Sequence, residues 1–142
     1  MSLKISARNQ FEGRITALQP GAVNTEVELT LAGGDRIVAV VTQASARDLG
    51  LATGGKAVAI VKAPWVIVAA DDSPLKFSAR NQLRGTVSEI RSGPVNAEVG
   101  IRLPGGVVVH AVITQESVAE LGLAPGVPAR ALVKASHVVL AV

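Results

Sequence analysis

The cleanest alternation of apolar and polar positions in the chain runs over residues 23–31. Val23, Thr25, Val27, Leu29 and Leu31 fall on one face and Asn24, Glu26 and Glu28 on the other, the two-residue period of a half-buried strand. Residues 13–18 alternate ahead of it, and Gln19-Pro20-Gly21 turns the chain between the two. Gly33-Gly34-Asp35 predicts a hairpin turn into Ile37-Val38-Ala39-Val40-Val41, a run that is apolar on both faces and so belongs in the interior. At Thr42 the β pattern stops. Residues 42–50 predict a short helix, with the Thr42 hydroxyl able to cap its first turn and Gly50 free to take the left-handed conformation just past its end. Two further strands, 57–62 and 65–69, follow.

This whole pattern then recurs. Ser6-Ala7-Arg8-Asn9-Gln10 returns letter for letter as Ser78-Ala79-Arg80-Asn81-Gln82, and the match continues without a gap to Ala69 and Ala141, with about half of the paired positions identical. The chain is two copies of one module of roughly 64 residues. Each reads β-β-β, short helix, β-β, the order of a small OB-like barrel. The expected fold is all-β, two tandem OB-like five-stranded β-barrels with one short helix each: residues 1–70, a linker at 71–77, and residues 78–142. Asp71-Asp72-Ser73-Pro74 makes that linker polar and too short to let the copies drift apart. A unit this small buries only about 60% of its unfolded surface, so packing against its twin or other subunits is expected.

Composition narrows the chemistry. The 142 residues include no cysteine, which excludes disulfides and thiolate metal sites, and only two histidines, His110 and His137, both in the second copy. No metal site for a bare cation is therefore expected. The amino terminus has no apolar core of a secretory signal, and the longest apolar run, 63–70, is far short of the roughly 20 residues that cross a bilayer. The expected location is cytoplasmic, without a membrane partner. A net charge of +3 and a pI near 9.8 favour anions in general.

Three elements in each copy carry polar groups where an apolar residue would fold as well. They are Ser6-Ala7-Arg8, Thr42-x-x-Ser45 at the helix start, and Lys62 at a strand end, matched by Ser78-Ala79-Arg80, Thr114-x-x-Ser117 and Lys134. Together they form a set of donors suited to a small oxyanion. Protonated phosphate needs an acceptor, and none of the three elements repeats a carboxylate, since Ala44 matches Glu116. A fully deprotonated tetrahedral dianion such as sulfate, molybdate or tungstate is satisfied by donors alone. Each residue type also has a plainer use: arginine in surface ion pairs, threonine and serine as helix caps, lysine protecting a strand edge.

The motifs in this order resemble the molbindin family, small cytoplasmic proteins built from molybdate-binding mop domains, in the tandem di-mop arrangement. The quotable pieces are Ser-Ala-Arg-Asn-Gln, Val-Asn-x-Glu (Val23 to Glu26, Val95 to Glu98), Thr-x-x-Ser before Leu-Gly-Leu, and Val-Lys-Ala (Val61 to Ala63, Val133 to Ala135), each present twice. The resemblance implies assembly into a homotrimer that stores or buffers molybdate, with tungstate as a substitute, bound mainly between subunits. It implies ligation by Ser6, Ala7, Arg8, Thr42, Ser45 and Lys62, and by Ser78, Ala79, Arg80, Thr114, Ser117 and Lys134. It also implies axial sites, near which Val23, Asn24, Val95 and Asn96 would lie. The copies depart from each other after the lysine, Ala63-Pro64-Trp65 against Ala135-Ser136-His137.

Two other functions compete. A basic OB-like barrel could bind single-stranded nucleic acid, but that binding uses aromatic stacking platforms, and aromatics are 2% of this chain, with Phe11, Trp65 and Phe77 unrepeated. An enzyme would need a catalytic constellation; no histidine stands beside a nucleophile and no phosphate loop of the P-loop kind is present, so catalysis is not expected.

Overall fold

The computed structural model describes residues 3–142, so the first two residues of the amino-terminal stretch lie outside it. The first module contributes β1 (Asn9–Pro20), β2 (Asn24–Leu31), β3 (Arg36–Thr42), α1 (Gln43–Asp48), β4 (Lys56–Val61) and β5 (Ile67–Ala70). The second contributes β6 (Asn81–Ser92), β7 (Asn96–Arg102), β8 (Val108–Thr114), α2 (Gln115–Glu120), β9 (Pro128–Val133) and β10 (Val139–Ala141). The inward face of β2 is the one its alternation predicts: Thr25, Val27, Leu29 and Leu31 are buried. Val23 is not; it sits in the turn before β2, 72% exposed. Of the run in β3, Ile37 and Ala39 are buried while Val38, Val40 and Val41 are only partly covered. Thr42 caps α1 and Gly50 follows it at φ +64°, as their residue types require.

The strands form two five-stranded antiparallel sheets, ordered β10-β4-β1-β2-β3 and β5-β9-β6-β7-β8. The edge strands of each sheet, β3 with β10 and β8 with β5, approach one another, so each sheet curls toward closure. Each sheet takes its fifth strand from the other module. Leu140 pairs with Ala59 and Val68 with Ala131, although each sequence copy reads as a complete five-strand unit. The turn Ala63–Trp65, one turn of 3-10 helix with Pro64 near its start, carries the chain from one sheet to the other. Its counterpart Ala135–His137 carries it back. Matching bulges at Thr16 in β1 and Ser88 in β6 bend the long first strand of each sheet, which pairs on both sides.

The two modules share one continuous apolar core, and the cavity left at their junction, among Phe11, Ile37, Val61, Val109, Val133 and their neighbours, is about 10 Å³. At most one water fits there, so the junction is essentially dry. Equivalent positions meet across an approximate twofold axis. Trp65 and His137, one position in two copies, pack with ring centroids 4.7 Å apart. Gly33 and Gly105 also match, and a Cβ on Gly33 would run into the backbone of Gly105. Phe77 is unrepeated for another reason. It belongs to the linker side of the second module, where the Arg130 guanidinium lies 5.3 Å above its ring and donates from Nη2 to the carbonyls of Ala70 and Ser73.

Two polar contacts fix how the modules meet. Asn81 accepts the N–H of Val38 on Oδ1 (2.7 Å) and donates from Nδ2 to the carbonyl of Val38 (2.8 Å); Asn9 does the same to His110 (2.7 and 2.8 Å). Both asparagines are almost fully buried, at 1% and 2% exposure for Asn9 and Asn81. Asn81→Ala would orphan both backbone groups of Val38, at about 1 to 3 kcal/mol each. It is expected to lower unfolding stability by about 2 to 5 kcal/mol, read as a lower urea midpoint. An unchanged midpoint would show that the clasp does not hold the modules together.

Candidate oxyanion site

The repeated pentapeptide has a separate role for each polar side chain. Gln10 donates from Nε2 to the carbonyl of Ala7 (2.9 Å), and Gln82 to those of Ala79 (3.0 Å) and Phe77 (2.9 Å). The glutamine thus folds the segment back on itself and occupies the alanine carbonyl of Ser-Ala-Arg. The asparagine lays that segment on the other module. Running back from Asn81 at Val38, Arg80 reaches Glu26, which pairs with Val40 one step further along β3, and Thr42 stands at the end of the same strand. Across β6 and β9, Asn81 pairs with Val133, so Lys134 follows beside Arg80.

The register sets Arg80 beside Lys134 on the second module, over the strand of the first that ends at Thr42. By the same register, Asn9 lies on His110 and pairs with Val61, which sets Arg8 beside Lys62 over the strand that ends at Thr114. Each arginine makes its ion pair on the other module, Arg80 on the one that carries Thr42 and Ser45 and Arg8 on the one that carries Thr114 and Ser117.

The hydroxyls at each helix start are already ordered. Thr42 Oγ1 accepts the N–H of Ser45 (3.0 Å) and donates to Ser45 Oγ (2.8 Å), and Thr114 and Ser117 repeat both contacts at 3.1 and 2.8 Å. They are helix caps that keep one hydroxyl proton and several lone pairs in a fixed place. Lys62 and Lys134 are exposed, and among the described residues neither has an ion-pair partner.

The arginines differ from the sequence expectation. A donor set with nothing to accept a proton was anticipated, yet each guanidinium meets a repeated carboxylate from the opposite module. Arg8 Nε donates to Glu98 Oε1 at 2.7 Å, and Arg80 Nη2 donates to Glu26 Oε1. Both glutamates close the Val-Asn-x-Glu motif, and their recurrence on the polar face of β2 and β7 was the available signal. The pairs are half exposed, so their worth to stability is small. They leave other N–H groups of each guanidinium free for a ligand. At Glu98 a third group joins: His110 Nδ1 lies 3.3 Å from the same Oε1. Burial, and next the Arg8 charge, lower the His110 pKa below its usual value, with Arg91 acting in the same direction and Glu98 and Glu89 against it.

Val23 and Val95 sit at exposed turn tips, each carbonyl accepting the first N–H of the adjacent helix, from Gln43 and Gln115 at 2.8 Å. Asn24 pairs with Thr42 across β2 and β3, and Asn96 with Thr114 across β7 and β8. Among the described residues, no group of His, Cys, Asp and Glu could hold a bare cation, and no helix is long and apolar enough to cross a membrane.

Comparison with known proteins gives the family. The TOBE domain matches twice, over residues 5–68 and 78–140. The molybdenum transport protein ModE of Azotobacter vinelandii is 50% identical over 142 residues, which is 100% of this chain and 52% of that protein. The molybdenum-pterin-binding protein MopA of Rhodobacter capsulatus is 46% identical over 141 residues, 99% of this chain and 53% of that one. The chain thus spans about half the length of these curated relatives. A crystal structure of ModG, described as a cytoplasmic molybdate-binding protein and solved with molybdate bound, is 55% identical and covers 99% of both chains, with a TM-score of 0.94. The chain belongs to the TOBE-domain family, with two copies of the domain, and resembles ModG over its whole length.

Proposed function

We propose that this protein binds molybdate, with tungstate as a substitute, and stores or buffers it in the cytoplasm without chemistry of its own. The observation that supports this is the repeated register that sets Arg80 beside Lys134 and Arg8 beside Lys62, each over the strand of the other module that ends in a Thr-x-x-Ser helix start; we read each such set, Ser-Ala-Arg and Lys with Thr-x-x-Ser, as one oxyanion site. The ModG likeness over 99% of both chains, in a form with molybdate bound, supports the choice of ligand. The binding unit is the pair of modules, residues 1–70 and 78–142, joined by 71–77.

Each cluster offers donors to a tetrahedral dianion. Charge-assisted hydrogen bonds contribute about 1.5 to 3 kcal/mol each, so six give a gross of roughly 9 to 18 kcal/mol before the dianion is desolvated. Of the nearby carboxylates, one Glu98 oxygen faces both Arg8 and His110, and one Glu26 oxygen accepts from Arg80. A second class of site would lie at the exposed tips Val23-Asn24 and Val95-Asn96.

Self-association into a homotrimer is part of the proposal. Apolar residues are exposed at matching positions in both modules, Val23 and Val95 at 72% and 70%, Ile67 and Val139 at 61% and 58%. A surface repeated in this way suits copies of the same chain arranged symmetrically. Nucleic-acid binding has no comparable support, because Phe11 is buried, Trp65 packs on His137 and Phe77 lies under Arg130.

Arg8→Ala and Arg80→Ala are each expected to weaken one class of molybdate site by about ten- to a hundredfold per lost charged hydrogen bond while the circular dichroism spectrum stays unchanged. Calorimetry giving full stoichiometry and affinity for both variants would remove the site assignment. Tungstate should compete with molybdate at similar concentration and phosphate should not; equal competition by phosphate would refute the dianion choice. Light scattering should return about three times the 14.5 kDa chain mass, and a single-chain mass would exclude the trimer.

A further inference from the structure

We propose that His110 sets the oxyanion affinity of the Arg8 cluster and leaves the Arg80 cluster untouched, so that two near-identical modules carry one proton-linked site and one without it. The inference rests on the oxyanion function proposed above and deepens it. His110 stands where the first module has Val38, and the backbone of the two residues does the same work, each clasped by the other module's asparagine. Only the side chain differs. The imidazole Nδ1 lies 3.3 Å from Glu98 Oε1, the oxygen that also accepts Arg8 Nε at 2.7 Å. At the other cluster, Glu26 meets Arg80 with an uncharged valine at the equivalent place.

The charged groups acting on His110 come from three elements: Arg8 from the pentapeptide loop, Glu98 from β7, and Glu89 and Arg91 from β6. The turn Ala63–Trp65 and β5, which also pack on β8, bring no titratable side chain. Glu116 and Glu120 of α2 are outside the set that acts on it. With its pKa lowered by burial and by Arg8, the imidazole is neutral near pH 7 in the ligand-free chain. A dianion arriving at Arg8 adds negative charge on the same side and favours the imidazolium. A protonated His110 in turn draws Glu98 toward itself and loosens its hold on Arg8, releasing guanidinium N–H groups to the ligand.

The sign follows from linkage. The loaded state holds the proton up to a higher pH than the free state, so binding takes up a proton between the two values. Affinity at this cluster is greatest below the free-state pKa and falls as pH rises through the loaded-state pKa.

Molybdate titrations of the intact protein at about pH 6 and about pH 8 test this. The Arg8 class of site should bind about three- to tenfold tighter at the lower pH, with the Arg80 class unchanged. His110→Val, which copies the first module's residue, should abolish the response, and Val38→His should confer it on the Arg80 class. Proton NMR of the His110 ring should show its titration midpoint move upward when molybdate is added. A protein that binds molybdate with no movement of that midpoint and the same pH response in His110→Val overturns the role of His110 and leaves the oxyanion function standing. Failure to bind molybdate at either pH overturns that function, and this inference with it.

Discussion

Two buried asparagines decide where everything polar in this molecule goes. The amide of Asn81 pairs with the N–H and carbonyl of one residue, Val38, which is what a neighbouring strand would do; here a side chain does it across the module boundary. An apolar junction made of valine, isoleucine and alanine would tolerate sliding, whereas two directional bonds in a dry interior do not. Once that register is set, the residue before each asparagine is an arginine that meets a glutamate on the second strand of the other module, Arg80 at Glu26 and Arg8 at Glu98. These ion pairs are thus a by-product of the contact that aligns the halves.

The charges around each cluster are close to balanced. Arg80 is matched by Glu26 and Arg8 by Glu98, which leaves the lysine as the one cation of each set without an ion-pair partner among the described residues. The site proposed above would rely on directed N–H and O–H groups more than on net positive charge. The glutamates keep long, flexible arginines in place at little cost to stability.

Much of this was legible in the sequence for a simple reason: a duplicated chain tells the reader twice which residues are constrained. The alternation over residues 23–31, the capped helix starting at Thr42 and the stop at Gly50 follow from local physics, and they appear in the fold as their residue types require. The recurrence of Glu26 and Glu98 marked them as constrained, but their partnership with the arginines was not legible, since the polar face of a strand does not say which group will cover it. Nor was the exchange of β5 and β10. Val66 to Ala69 and Val138 to Ala141 are nearly the same sequence facing nearly the same partner, so each strand fits either sheet equally well and periodicity cannot say which it joins. Trp65 and His137 show the same symmetry: one position of the repeat meets itself across the axis, with a different ring from each copy.

The crossed strands also bear on how the chain reaches this state. Leu140 closes the first sheet against Ala59, a separation of 140 − 59 = 81 positions, so that sheet lacks its edge until nearly the whole second repeat has been made. Neither repeat can mature alone on the ribosome, and contacts of such long range slow the search for the native topology. In exchange, each sheet is closed by a strand of the other repeat, so the edge of one half is covered only when the other half is in place.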